Sequence, residues 1–370
     1  VIALRLARLR LPARPNRPTR RARGRAKAAV LSGLATVLIA HVGLAVRVET
    51  RRPTWRDPEY FLREHRLVAL SWWAKADGRA RPLVVAVGGS RTQMGWSPGH
   101  LGFGSGPTDP IAFNCAQAGA LPVGERLNLA RLFAAGMTPD FVLIEVLPPV
   151  LADPGPMEER IPLPRLGLAD LARVAPYHTD RARTARRWAS ARARSWTTLR
   201  LPLLAAWELS DSFPPGPDRP DRIWAATRAD GWGPFHPAGW PDASRAAGLA
   251  TARGSYEWLL RDFRVEPVND RLVRDMLADC RSRGVRAALY TMPESPTFRS
   301  WYPPAARAQV REYLSAVGRD AGVPVFDTSD WVNDEAAFTD GHHLLGPAAE
   351  AFSARFGREC VGPWVATGGR

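Results

Sequence analysis

The stretch that most limits what this chain can become is Leu83-Val84-Val85-Ala86-Val87, followed at once by Gly88-Gly89-Ser90. A short apolar run rich in β-branched residues reads as a strand buried on both faces, the pattern of a parallel sheet rather than one with a wet face. Two glycines let the backbone turn where a Cβ would clash, so the serine is delivered at the strand's carboxyl end. In an open α/β sheet, that edge is where ligands bind. The same tripeptide also fits a plain strand-to-helix turn in which the serine caps the next helix. Partners elsewhere in the chain decide between the two.

Further short apolar runs at 111–114, 140–146, 285–291 and 323–326 read as four more strands. Helical patterns at 123–135, 269–283, 304–321 and 348–356 fall between or after them. Strands alternating with helices imply right-handed crossovers and a parallel sheet covered on both faces, hence an α/β fold. Residues 154–267 break this rhythm. They are rich in Arg, Pro and Ala and carry seven of the fourteen tryptophans, so they read as an insertion between strands three and four. Those tryptophans either stack on sugar rings or give a small subdomain its core. The glycine-rich 100–110 segment follows no strand and lacks a Lys-Ser/Thr pair, so it reads as a loop, not a phosphate cradle.

The formal charge of +15 suggests nucleic acid until it is located. Residues 1–27 hold nine arginines, one lysine and no acid, so this basic cytoplasmic tail supplies +10 and the rest about +5. No basic and aromatic interleaving accompanies it, and no nucleic-acid partner is expected. Residues 28–46 then run without a charge. At about 1.5 Å per helical residue they just cross a bilayer. The preceding arginines place the amino terminus in the cytoplasm and everything after Arg47 outside, as a single-pass membrane anchor. A cleaved secretion signal competes, since Gly43-Leu44-Ala45 fits a small-x-small site. Either way the body of the protein is exported. Residues 47–81 read as a juxtamembrane linker with an amphipathic 60–74 segment, whose Trp72 and Trp73 suit either a lipid interface or packing onto the domain. Cys115, Cys280 and Cys360 show no zinc-ligand spacing, so no metal and no cofactor is expected; an exported chain has the option of pairing Cys280 with Cys360.

Ser90, Asn114, Glu145 and Glu294 each come at or just after a predicted strand end, so a parallel sheet brings them to one rim. The second chemical signal is Phe338-Thr-Asp340-Gly-His342-His343, ahead of the last helix. An Asp three residues before a His in such a loop fixes the imidazole's tautomer, and the imidazole then takes the proton from a serine hydroxyl too weakly nucleophilic by itself.

Gly88-Gly-Ser90 on the first strand, Asn114-x-x-x-x-Gly119 on the second and Asp340-x-x-His343 before the last helix together resemble the SGNH (GDSL-like) hydrolase superfamily. The resemblance spans about 82–153 and 268–360 and leaves aside the tail, anchor, insertion and a 361–370 C-terminal tail. It implies a three-layer α/β/α fold with a five-stranded parallel sheet and acyl transfer through a serine ester. Ser90 would be the nucleophile, His343 the base and then acid, and Asp340 its orienting partner. His342 is the fallback base. The amides of Ser90 and Gly119 would form part of the oxyanion hole.

Two departures stand out. Gly89 replaces the Asp of Gly-Asp-Ser, and Glu145-Val-Leu-Pro stands where the family carries Gly-x-Asn-Asp. One lost oxyanion donor typically costs about 10²-fold to 10³-fold in rate, so Arg91 or Gln93 is expected to substitute. Without a substitute, the domain is a degenerate one that binds glycan or scaffolds an envelope complex. Tethered, exported relatives often move acetyl or other acyl groups on envelope polysaccharides, so an acylated polysaccharide is the expected substrate. Glu294 fits either a sugar hydroxyl or a salt bridge with an arginine. Asp340, His342 and His343 also make a weaker case for a metal-dependent hydrolase.

Overall fold

A computed structural model describes residues 20–50, 56–75, 81–193, 227–234 and 240–367. The elements relevant to the site are helices α1 (Arg20–Thr50) and α2 (Pro58–Lys75), strand β1 (Leu83–Val87), α3 (Ser90–Gly95), β2 (Ile111–Asn114), α4 (Pro122–Ala134) and β3 (Phe141–Glu145). They continue with α5 (Leu168–Val174), α6 (Arg181–Ala193), α7 (Asp242–Arg261), α8 (Pro267–Ser282), β4 (Arg286–Tyr290), α9 (Pro304–Ala321), β5 (Val325–Phe326) and α10 (Gly346–Phe356).

The five strands form one sheet in the order β2-β1-β3-β4-β5, every pairing parallel. Alternation along β1 divides its side chains between two cores. Leu83, Val85 and Val87 join one with α2, α4, α7, α8 and α9, while Val84 and Ala86 join the other with Trp96, Trp232 and α10. Both faces are therefore covered, as the unbroken aliphatic run requires. The sheet order reverses between β1 and β3, so a crevice opens at their carboxyl ends. Strand β5 is shorter than the expected 323–326. Pro324 has no N–H to give the ladder, and pairing begins at Val325.

Three boundaries change. The 47–81 linker is largely domain: α1 runs on to Thr50 with Val48 buried, and α2 buries Tyr60, Leu67 and Ala74 in the larger core. Fully burying a leucine such as Leu67 stabilises by about 1.5–3 kcal/mol, which favours docking of the helix. Residues 361–367 of the expected tail are also packed, with Val361 and Val365 buried and the Trp364 ring edge-on to Phe141. In the insertion, α7 buries Ala252, Leu259 and Leu260 in the larger core, so it is not a separate unit. Trp232 is fully buried and its Nε1 donates to Met94 O at 2.7 Å, a packing role, whereas Trp196, Trp207 and Trp224 lie outside the described residues. Of the basic 1–27 segment, residues 1–19 lie outside them too.

The Cys280–Cys360 option closes. Cys280 sits in one core and Cys360 packs against the other, across the sheet, and all three cysteines are free thiols. Burial pushes the Cys115 and Cys280 thiols up to about 12. Helix α1 differs from the rest in leaving its apolar side chains uncovered, Val30, Leu34, Val37 and Ile39 each being more than 60% exposed. By length and composition it suits a signal anchor or a signal sequence.

Candidate active site

Ser90 is the first residue of α3, directly beyond the glycine turn that ends β1. Glu145, at the end of the neighbouring β3, holds that turn in place. Its Oε2 accepts from Gly89 N at 2.9 Å, from Thr92 Oγ1 at 2.6 Å and from Thr92 N at 3.3 Å. A Cβ on Gly88 would stand 2.5 Å from that same oxygen and 2.5 Å from Thr92 Oγ1, so only glycine fits beside the carboxylate. The serine therefore sits at the β1/β3 crevice on a braced turn.

The hydroxyl does not cap its helix. Ser90 Oγ lies 2.7 Å from His343 Nε2, and His343 Nδ1 lies 2.7 Å from Asp340 Oδ2. The other carboxylate oxygen, Oδ1, accepts from the backbone N of His343 at 3.0 Å and of His342 at 3.2 Å. Burial works against ionisation of Asp340, but the His343 hydrogen bond and the two neighbouring imidazoles hold its carboxyl well below the usual range. An ionised Asp340 must receive Nδ1–H, which leaves Nε2 free to accept the Ser90 proton.

His342, the fallback base, is not bonded to Ser90. Its ring packs edge-on against Tyr256 at 5.3 Å and beside Phe298 at 5.4 Å. Its Nδ1 comes within 3.2 Å of Asp340 Oδ1 but without hydrogen-bond alignment. Burial, with the His343 ring beside it, keeps His342 neutral. Donor atoms of Asp340, His342 and His343 lie within 4.8 Å of one another, but His343 is committed at both nitrogens, to Ser90 and to Asp340.

The remaining candidates divide. Gly119 borders the same cleft as Ser90, with φ +71 and open space where a Cβ would stand, so its left-handed backbone selects glycine. The backbone N–H groups of Ser90 and Gly119 donate to no described residue, and both residues line the cleft. Asn114 is a brace: its Nδ2 donates to Thr92 O at 2.8 Å and Trp96 O at 2.7 Å, tying α3 to β2. Arg91 and Gln93 do not fill the oxyanion role expected of them. Arg91 donates to Met292 O and Pro293 O and pairs with Glu294 and Glu145, both at 3.5 Å, while Gln93 lies outside the cleft lining. Glu294 resolves as the salt-bridge reading, since it is buried, faces Arg91 and accepts from Tyr302 Oη at 2.9 Å.

The cleft encloses about 590 Å³ of empty space, its open mouth included. Two of its residues escaped the sequence reading. Tyr256 comes from α7, inside the insertion, and packs against His342. Glu125 comes from the first turn of α4, where an acid reads simply as a favourable helix start. It is 6% exposed, and its carboxyl has no hydrogen bond or ion pair among the described residues. Burial, then the charge of Glu145, push its pKa well above 4.5. The native state thus holds this proton more tightly than the unfolded chain, so its stability contribution is full below about pH 4.5 and declines as pH rises towards the folded value. Glu125→Gln should remove that decline. Urea midpoints at pH 5 and pH 8 should show the variant gaining on the wild type at the higher pH; an unchanged difference would contradict the assignment.

No protein-family model matches the chain, and no curated protein does. Among solved structures, a lipase/acylhydrolase from Enterococcus faecalis matches at 12% identity, over 77% of this chain and 97% of that one, with a TM-score of 0.32. At that identity and TM-score the likeness adds nothing to the account of the site.

Proposed function

We propose that this chain is a serine ester hydrolase or O-acyltransferase of SGNH type that acts on acyl esters, acetyl among them, of cell-envelope or extracellular glycans. Helix α1 anchors it, with the amino terminus in the cytoplasm and the main domain outside. The observation that carries the catalytic reading is the continuous chain from Ser90 Oγ through the His343 ring to Asp340, with 2.7 Å at each link.

The steps follow from those contacts. As Ser90 Oγ bonds to the ester carbonyl carbon, its proton passes to His343 Nε2, and Asp340 stabilises the imidazolium. The Ser90 and Gly119 amides face the oxygen on which charge develops. Collapse breaks the bond to the alcohol, which leaves with the proton from Nε2. Water or a sugar hydroxyl then gives its own proton to Nε2 and bonds to the acyl carbon; the bond to Ser90 Oγ breaks, and Nε2 returns the proton to that oxygen. The purified full chain should therefore release p-nitrophenol from p-nitrophenyl acetate, at a rate that a chelator leaves unchanged. Loss of activity on chelation would favour the metal-dependent alternative.

One observation favours a second reading. Neither Arg91, which is engaged elsewhere, nor Gln93, which lies outside the cleft lining, supplies a third oxyanion donor, which suits a degenerate domain that binds glycan or scaffolds a complex. That reading expects saccharide binding with no ester turnover.

The location rests on the uncharged 28–46 run and the arginines before it. An anchored chain stays with membranes through alkaline extraction, whereas a cleaved one is found in the soluble exported fraction.

A further inference from the structure

The cleft beside Ser90 has a mixed wall. Leu121, Val146, Leu147, Val150, Leu151 and Val273 make it apolar, yet two carboxyl groups, Glu125 and Glu145, share it. Both have acceptor capacity that the protein leaves unused. Glu145 directs all three of its hydrogen bonds to Oε2, while Oε1 is buried without a hydrogen bond and has only Arg91 Nε 3.5 Å away. Glu125 is 6% exposed and has no partner at all among the described residues. Leaving a carboxyl in an apolar wall without a partner is costly, and a ligand bringing donors would recover that cost. Among the described residues the one arginine or lysine on the lining, Arg91, is engaged by Glu294, Glu145 and two backbone carbonyls.

The enclosed space suits the acyl side of an ester rather than a polymeric alcohol, because a glycan chain must lead out to solvent. An alkyl acyl group filling it would leave Glu125 without a partner. A hydroxyl offers one donor. An ammonium offers three, together with the charge that makes two neighbouring acids compatible with burial.

Building on the esterase reading above, we propose that the cleft selects an acyl group bearing an ammonium, so that the preferred substrate is an aminoacyl ester whose cationic nitrogen is held by Glu125, with the carboxylate of Glu145 lining the same cleft. Glu125 is the specificity determinant, since Glu145 also braces the turn that carries Ser90.

Three p-nitrophenyl esters of nearly equal size test this at pH 7: β-alanyl, butyryl and 3-hydroxypropionyl, ending respectively in ammonium, methyl and hydroxyl. In the wild type, kcat/KM for the β-alanyl ester, corrected for spontaneous hydrolysis, should exceed the other two by about 10-fold or more, the size of effect one well-placed charged hydrogen bond supplies. Glu125→Gln, which keeps the shape but cannot give up a proton to become the ammonium's counter-ion, should lower the β-alanyl to butyryl ratio by a similar factor. Equal rates for the three esters in the wild type, a preference for butyryl or hydroxypropionyl, or a ratio unmoved by Glu125→Gln would overturn the proposal. Thermal shifts of the Ser90→Ala chain with methyl β-alaninate and methyl butyrate read the same preference without chemistry. A larger upward shift with the amino ester supports the pocket even if no ester is turned over, in which case the esterase reading fails by itself. Equal shifts reject the pocket.

Discussion

Replacing Ser90 with alanine is expected to lower ester turnover by about 10³-fold or more, and His343→Ala to do the same, with the double variant little worse than either single one. The non-additivity is the informative part. Ser90 Oγ and His343 Nε2 are 2.7 Å apart and share one proton, so removing either group disables the other. Residual activity should come from binding and the two backbone amides alone. The check is steady-state p-nitrophenol release from variants whose circular dichroism matches the wild type. A single variant retaining near wild-type rate would count against the assigned chemistry.

Asp340→Asn should cost about 10³-fold to 10⁴-fold, a loss of the size expected when a histidine is held in the wrong tautomer. The reason is the way this carboxylate is used. Its Oδ1 faces two backbone N–H groups, those of His342 and His343, which cannot turn away, and its Oδ2 faces the His343 ring. An asparagine has one oxygen for both tasks. The oxygen goes to the backbone pair, the amide NH₂ then faces His343 Nδ1, and the ring proton shifts to Nε2, where it can no longer accept from Ser90. The loss should appear in kcat with KM little changed, because nothing at the cleft wall moves. A loss confined to KM would place Asp340 in binding rather than in catalysis.

What could be read from residues alone were the features written locally. Leu83–Val87 is apolar at every position because both its faces are covered, and the Gly-Gly-Ser turn follows in the next three residues. Asp340 and His343 are three apart, so their pairing needs only one loop. Long-range relations were less visible. Glu145 was legible as an acid at a strand end, but its three bonds to the Ser90 turn arise only once β3 lies beside β1. Tyr60, Leu67 and Ala74 recur every seven residues, a helical period, yet nothing in that spacing says that the helix docks on the sheet domain instead of leading away from it. Glu125 and Tyr256 were missed because an acid in a helix's first turn and an aromatic in a Trp-rich insertion both have ordinary explanations. The sequence offers Arg91 as an oxyanion donor, whereas burial makes an unpaired guanidinium costly, and the end of β3 and the loop after β4 supply its partners.

Covalent trapping tests the nucleophile most directly. A fluorophosphonate probe reacts at a serine whose proton a neighbouring base removes, and peptide mass spectrometry then locates the adduct. The account predicts near-stoichiometric phosphonylation of Ser90 in the folded wild type and none in His343→Ala. A folded chain that stays unlabelled, or that carries the adduct at a different residue, would contradict it.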